Sequence, residues 1–550
     1  MKHFLTIFSI FNVLIHKYSA LDFDNYTLFI NHLSSDATFL DNYADWSLKL
    51  FSREGYIYGN QHGRFPCPRN SSRTDSNIPT SVHKLQPGDF KCIAALGDGL
   101  TTGLATQAIT PTGLLFESRG MSWSIGGDYT FSKFISLPNI LREYTPALQG
   151  FSTTVSAMFS NDGNSTDSGL NVANSGDYSM HLLYQAEYLI DRIKTEQLCN
   201  WKDDWKLITI LIGVNDLCSF CDDVNGSRYT PEQYIRNIRE GLDILYQAQI
   251  PRTFVNLVPP LDVRIFQQHT AHGQVCKSLL QRLCPCAASP TAEQAHILHD
   301  HVEQYYALLH KLIASKRYDD RDDFTIVIQP FMKTIYQRHK DDHGIDLSYF
   351  ASDCFHFSGK GHSQAALSLW NNMLEPVGGK HSAWSMSNSL KCPTKEYPYI
   401  FTSKNSAKAL NEQKRTTIAH STNASTSTKA RTSTVMSSIS ELNTTTESIQ
   451  EESKPMSKLP MRKSRILLIM IILVSIIVIL VWIVRQRRKN RSFKFPSGQH
   501  NFSGIQNIQR IEDEDDDDVD TDVWSKNKVL PTYFKDDKTT KTHGMRVSFE

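Results

Sequence analysis

Nineteen consecutive residues, Ile466 to Val484, read ILLIMIILVSIIVILVWIV without a single charge. As a helix rising ~1.5 Å per residue they cover about 28 Å, close to the ~30 Å hydrocarbon layer of a bilayer. A buried core helix of that length normally keeps a polar stripe, and this run has none. The sequence therefore predicts one membrane span, and everything before it must fold on one side of a membrane. Arg462, Lys463 and Arg465 precede the run and Arg485, Arg487, Arg488 and Lys489 follow it, so flanking charge does not orient it. The beginning of the chain does. Lys2 and His3, the apolar stretch Phe4 to Ile15 and the small pair Ser19-Ala20 predict a secretory signal peptide over 1–20. A single-pass type I protein of the cell membrane follows, with residues 485–550 as a cytoplasmic acidic tail.

Cysteine usage agrees with an exported N-terminal part. All ten cysteines lie between Cys67 and Cys392, an even number that reads as a disulfide set of open connectivity. Cys218 with Cys221 and Cys284 with Cys286 have spacings that invite a metal reading, but no second matched pair completes a zinc site, and no metal is expected. His269 and His272, three residues apart, read as a polar surface pair. Sequons at Asn25, Asn70, Asn164, Asn225, Asn423 and Asn443 are candidate glycosylation sites. Between Thr416 and Thr446, seventeen of thirty-one residues are Ser or Thr. Such a stretch cannot offset its chain entropy by burial, so 401–465 reads as a disordered, Ser/Thr-rich stalk. Eight of the nine residues from Glu512 to Asp520 are acidic, a self-repelling run, with a basic partner as the weaker alternative. The net charge of +1 excludes a globally basic nucleic-acid binder.

The folded part is expected over 85–400, preceded by an extension over 21–84 that carries no legible pattern. Strands are predicted at Phe90–Leu96, Leu207–Ile212, Thr253–Val258 and Phe324–Ile328, with a shorter candidate at Leu170–Ala173. Helical apolar spacing runs over Tyr178–Ile193, Pro231–Gln247, Ala292–Ala314 and Ser358–Leu374. Near-continuous apolar strands alternating with helices predict an α/β fold whose parallel sheet is covered on both faces. Ligands of such sheets bind beyond the carboxyl ends of the strands. Four polar stretches stand there or close the domain: Gly97-Asp98-Gly99-Leu100, Asn174-Ser175-Gly176, Gly213-Val214-Asn215-Asp216 and Asp353-Cys354-Phe355-His356. Each alone has a bland reading as a turn or a helix start; their order and placement together do not.

With Gly120-Met-Ser-Trp-Ser-Ile-Gly-Gly-Asp128 and Leu369-Trp-Asn-Asn-Met-Leu-Glu-Pro-Val-Gly378 added, the pattern resembles the SGNH or GDSL lipases and esterases, within them the membrane-associated phospholipase B branch. The resemblance implies a three-layer SGNH-hydrolase fold carrying one catalytic-type unit. It implies hydrolysis of acyl esters of phospholipids and lysophospholipids without metal or cofactor. His356 matches the general base and Asp353 the residue that orients it. Asn215 and Gly176 match the oxyanion donors, with the Gly120–Gly127 segment a weaker rival for the glycine. Asp98 and Asp216 match positions that brace turns.

The departure lies at the nucleophile. Where the family pattern reads Gly-Asp-Ser-Leu, this chain reads Gly97-Asp98-Gly99-Leu100. Loss of a triad nucleophile costs about a million-fold in turnover, so ester hydrolysis should be impaired or absent. The alternative is a non-catalytic protein that still binds lipid or a partner in the old cleft. Because a side chain opens this turn in the family, a hydroxyl restored at position 99 is expected to cost little in folding.

Overall fold

Apolar runs with almost no polar interruption become the strands of one parallel sheet: β1 (Phe90–Gly97), β2 (Trp205–Leu211), β3 (Thr253–Val258) and β4 (Phe324–Ile328). The computed structural model describes residues 26–59, 63–69, 78–158, 165–223, 226–335, 346–384 and 389–411. Within them the spatial order of the sheet is β1-β2-β3-β4, every neighbouring pair parallel. Register sets Gly97 beside Leu211 and Leu211 beside Val258, so the carboxyl ends of three strands share one edge. Every residue of β2, β3 and β4 is buried, as a sheet covered on both faces requires. Leu170–Ala173 does not form a strand of its own. It touches β1 through one parallel bridge, Ala95 with Asn171, and the hydrogen bonds Ala95 N to Leu170 O (3.1 Å) and Val172 N to Ala95 O (3.0 Å).

The main helices are α1 (Ala37–Phe51), α2 (Leu182–Thr195), α3 (Pro231–Gln247), α4 (Gln274–Leu283), α5 (Ala292–Ala314) and α6 (Gly359–Met373). Their starts are written in the sequence. Thr230 caps α3 with Pro231 in the first turn, Thr291 and Gln294 form a capping box on α5, and Ser358 accepts from Gly361 N at the head of α6. The α2 region is entered through a short 3₁₀ turn, Ser179–His181. Helices α2 and α3 lie close enough that a Cβ at Gly241 would stand 2.5 Å from Leu182. Only Lys360 keeps α6 from being buried throughout. Residues 56–59 and 401–402 cover it: Lys360 N donates to Tyr56 O and Phe401 N to Met373 O.

The described residues of 26–84 (26–59, 63–69 and 78–84) pack on the rest of the fold. Asp36 caps α1 by accepting from Thr38 N and Phe39 N. Tyr26, Ile30, Phe39 and Tyr43 then bury against Leu104, Ala108, Leu114, Val275 and Leu279 in a second apolar cluster. Leu50, Tyr56, Cys67 and Val82 join the main core. All ten cysteines are paired: Cys67–Cys392, Cys92–Cys199, Cys218–Cys284, Cys221–Cys286 and Cys276–Cys354. Cys221 and Cys286, which stand near Asp222, are thus bonded to each other rather than offered to a metal. The signal segment 1–20, the Ser/Thr-rich stretch 416–446, the apolar run 466–484, the acidic tail and all six sequon asparagines lie outside the described residues. Among the described residues no helix is long and apolar enough to cross a membrane.

Candidate active site

Three segments converge at the carboxyl edge of the sheet: the turn after β1, the turn after β2 and the loop before α6. At the first, a Cβ on Gly97 would collide with Leu211 O and the Thr101 hydroxyl, so the close approach of β1 and β2 needs glycine there. Gln185 of α2 pins this strand end from the side: Gly97 N donates to its Oε1 (2.8 Å), and its Nε2 donates to Gly97 O (2.8 Å) and to Asp177 Oδ2 (2.6 Å). Asp98 caps the short helical turn Gly99–Thr102, its Oδ1 accepting from Leu100 N at 3.0 Å. Its Oδ2 is buried without a partner among the described residues, and burial pushes the carboxyl up to about 7.

The loop before α6 holds Asp353 and His356. Asp353 is fully buried and accepts three hydrogen bonds: Oδ1 from Phe355 N (3.0 Å) and His356 N (2.9 Å), Oδ2 from His356 Nδ1 at 2.6 Å. A carboxylate at Nδ1 keeps the ring hydrogen there and leaves the Nε2 lone pair facing away, the tautomer a general base requires. The loop is tied down on every side. Cys354, at φ 62°, is bonded to Cys276 of α4, and its carbonyl accepts from His269 Nδ1 at 2.8 Å. Ser352 shares a hydrogen bond with the Tyr43 hydroxyl (2.6 Å), accepts from Trp46 Nε1 (3.0 Å) and donates to Ala108 O (2.7 Å).

His269 corrects the expectation of a polar surface pair. It is completely buried under Phe266 and Phe350, and burial lowers its imidazole to about 4, whereas His272 is exposed. Three-residue spacing placed both on one face only if the helix continued; it ends at His269 and a 3₁₀ turn carries His272 away.

The structure brings Gly99 and His356 together directly. A Cβ built on Gly99 would stand closer than 3.0 Å to His356 Nε2, with Cδ2 at 3.0 Å and Cε1 at 3.5 Å. In a resting serine–histidine pair the hydroxyl would intervene, setting Nε2 roughly 3.5 Å from that Cβ. The imidazole therefore stands forward, in room a serine would occupy. Gly99 is not among the positive-φ residues, so the backbone does not require glycine there. The expectation that a hydroxyl costs little at this position is corrected accordingly: any side chain must push back an imidazole held by Asp353.

The remaining candidates cluster nearby. Asn215, in the helix Val214–Ser219, donates from Nδ2 to Asp177 O at 2.8 Å and so lies against the Gly176 loop; the same amide keeps a second hydrogen. Gly176 is exposed at φ 84°, a conformation that favours glycine. Asp216 is buried and accepts from Ser179 N (2.8 Å) and Oγ (2.5 Å), while burial raises its carboxyl. The Gly120–Gly127 segment supports the first turn from behind: Ser122 Oγ donates to Thr101 O (2.6 Å) and Trp123 Nε1 to Leu100 O (3.0 Å). Sequence reasoning missed a buried chain that joins the two glycine turns. Thr102 Oγ1 bonds Ser175 Oγ (2.7 Å), which donates to Glu117 Oε1 (2.5 Å), and Glu117 pairs with Arg119 at 2.7 Å. Arg119 in turn donates to the carbonyls of Asn171 and Ala173 at 3.2 Å.

Comparison with known proteins bears on this arrangement. The GDSL-like lipase/acylhydrolase family matches residues 93–369, from inside β1 to inside α6. "Phospholipase B1, membrane-associated" of Mus musculus and of Homo sapiens are each 39% identical over 369 residues, 65% of this chain and 24% of theirs. The protein of that name from Rattus norvegicus is 39% identical over 351 residues. The chain thus spans about a quarter of the length of these curated relatives. A parallel sheet with Gly99, Asn215 and His356 gathered at its carboxyl edge, matched across half the chain, makes this protein a member of the GDSL-like lipase/acylhydrolase family.

Proposed function

We propose that this chain is a membrane-anchored, cell-surface phospholipase B-like protein whose site takes acyl phospholipids or lysophospholipids but does not turn them over by serine chemistry. In this reading His356 is the base, Asp353 orients it, Gly176 and Asn215 face the oxyanion, and Asp98 and Asp216 brace their turns. The family membership and the phospholipase B1 relatives support the ligand class. One observation carries the loss of turnover: Gly99 supplies no hydroxyl, and His356 Nε2 has closed on the position a side chain would fill. That closure also favours a second reading, a non-catalytic protein that binds lipid or a partner through the same cleft.

The anchoring rests on the signal-like segment 1–20 and the apolar run 466–484, which orient residues 21–465 outward as the extension, the catalytic-type domain and the stalk. The sequon asparagines would then be glycosylated. A fluorophosphonate probe, which forms a bond with an activated serine, tests the chemistry. The full-length wild-type protein should stay unlabelled and Gly99→Ser should label, with the label lost in Gly99→Ser/His356→Ala. Labelling of the wild type that persists in His356→Ala would show that an unrecognised nucleophile operates.

A further inference from the structure

We infer that the imidazole of His356 is itself a nucleophile toward activated acyl donors, aryl esters and acyl thioesters, carrying the acyl group on Nε2 until water removes it. The inference rests on the site reading above and goes beyond it. In a triad the serine hydroxyl stands between the imidazole and the carbonyl carbon, so histidine only moves protons. Here nothing stands between. The Gly99 turn has no side chain, and Nε2 lies forward in the vacated room. Nδ1 is engaged by Asp353 at 2.6 Å, while Nε2 forms no hydrogen bond within the described residues and is not among the buried partnerless atoms. His356 is 4% exposed, so the nucleophile is oriented and largely screened from bulk water.

The step balances without any oxidant or metal. The Nε2 lone pair forms a bond to the carbonyl carbon, and the carbonyl π pair moves to oxygen. The oxygen pair then re-forms the carbonyl while the C–O or C–S bond breaks, its electrons leaving on a phenolate or thiolate. The positive charge of the acyl-imidazolium is met by the Asp353 carboxylate through Nδ1–H. Water adds to the acyl carbon and its proton passes through solvent to the departed phenolate or thiolate, the N–C bond breaks, and the pair returns to Nε2. The sum is ester plus water to acid plus alcohol or thiol. The same chemistry sets the substrate limit. A glycerol alkoxide is a poorer leaving group than imidazole, so a phospholipid adduct expels the histidine again and nothing is hydrolysed. Phenolates and thiolates leave more readily, and only their esters go forward.

Full-length protein, p-nitrophenyl acetate and hydroxylamine test this. Wild type should release p-nitrophenolate above the rate of His356→Ala, without a solvent deuterium isotope effect. Hydroxylamine should divert the acetyl group to acetohydroxamate without changing that release. Gly99→Ala keeps the histidine but fills the room in front of it, and should fall to the His356→Ala rate. A wild-type rate equal to that of His356→Ala overturns the inference, as does an undiminished rate in Gly99→Ala. A strong isotope effect with no trapped acyl group also overturns it, since histidine would then be activating water. Fluorophosphonate labelling of Gly99→Ser separates the levels: if it labels while the wild type shows no histidine-dependent release, only this inference fails. If neither reacts, the site reading fails with it.

Discussion

At position 99 the backbone asks for nothing unusual, so Gly99 matters for the room it leaves in front of His356. A serine there has to displace an imidazole whose Nδ1 is held by Asp353 at 2.6 Å, and overpacking of this kind costs about 1–3 kcal/mol. Gly99→Ser should therefore lower the denaturant midpoint in the wild-type background and leave it nearly unchanged when His356→Ala has removed the ring. A double-mutant cycle reads that coupling; equal costs in both backgrounds would place the strain elsewhere. Asp98 offers a second residue-scale test. Its folded carboxyl is raised to about 7 by burial, above the unfolded value of 3.8. The stabilisation linked to its bound proton is complete below about 4, drains away as pH climbs, and is gone above about 7. The full difference is on the order of 4 kcal/mol. Asp98→Asn keeps an oxygen for Leu100 N and removes the charge, so it should be more stable than wild type at pH 8, with the gap narrowing by pH 5. A pH-independent difference would contradict the burial of that carboxyl as the cause.

Elements with one local cause were legible before any coordinates. The four strands announce themselves as apolar runs, and α3, α5 and α6 by apolar spacing at the helical period, to which the structure adds caps at Thr230, Thr291 and Ser358. Residues 26–84 were not legible, because α1 serves surfaces supplied by Leu104 and Val275, far along the chain. The same holds for the site. His356, Asp353 and Asn215 stand in short motifs, whereas Gln185 reaches Gly97 across 88 residues and Ser175 reaches Glu117 across 58. No spacing rule carries such partners. The loop before α6 is the element most dependent on these long links, above all Cys276–Cys354, which closes 78 residues. Cys276→Ala/Cys354→Ala should cost about 2–4 kcal/mol in stability by denaturant unfolding. It should also weaken probe labelling of Gly99→Ser, since Cys354 lies between Asp353 and His356. Full labelling by the variant that lacks this one disulfide would show that the loop keeps its shape through His269 and Ser352 alone.

For the molecule as a whole, an oxidised folded part is observed and a placement at the membrane is proposed. All ten cysteines are bonded, so alkylation without reduction should tag no thiol, and several tagged thiols would contradict the pairing. The proposed topology makes a separate prediction. Protease added to intact cells should remove the part before residue 466 and spare an epitope placed after Lys494; protection of the N-terminal part would reverse the orientation. The central proposal is narrower: an acyl-hydrolase site that lacks one hydroxyl at Gly99. Its most direct measurement is fatty-acid release from lysophosphatidylcholine by the full-length protein, wild type beside Gly99→Ser and Gly99→Ser/His356→Ala. The account predicts no release by wild type, release by Gly99→Ser, and its loss in the double variant. Release by the wild type that disappears in His356→Ala would contradict it, as would a folded Gly99→Ser protein that stays inert.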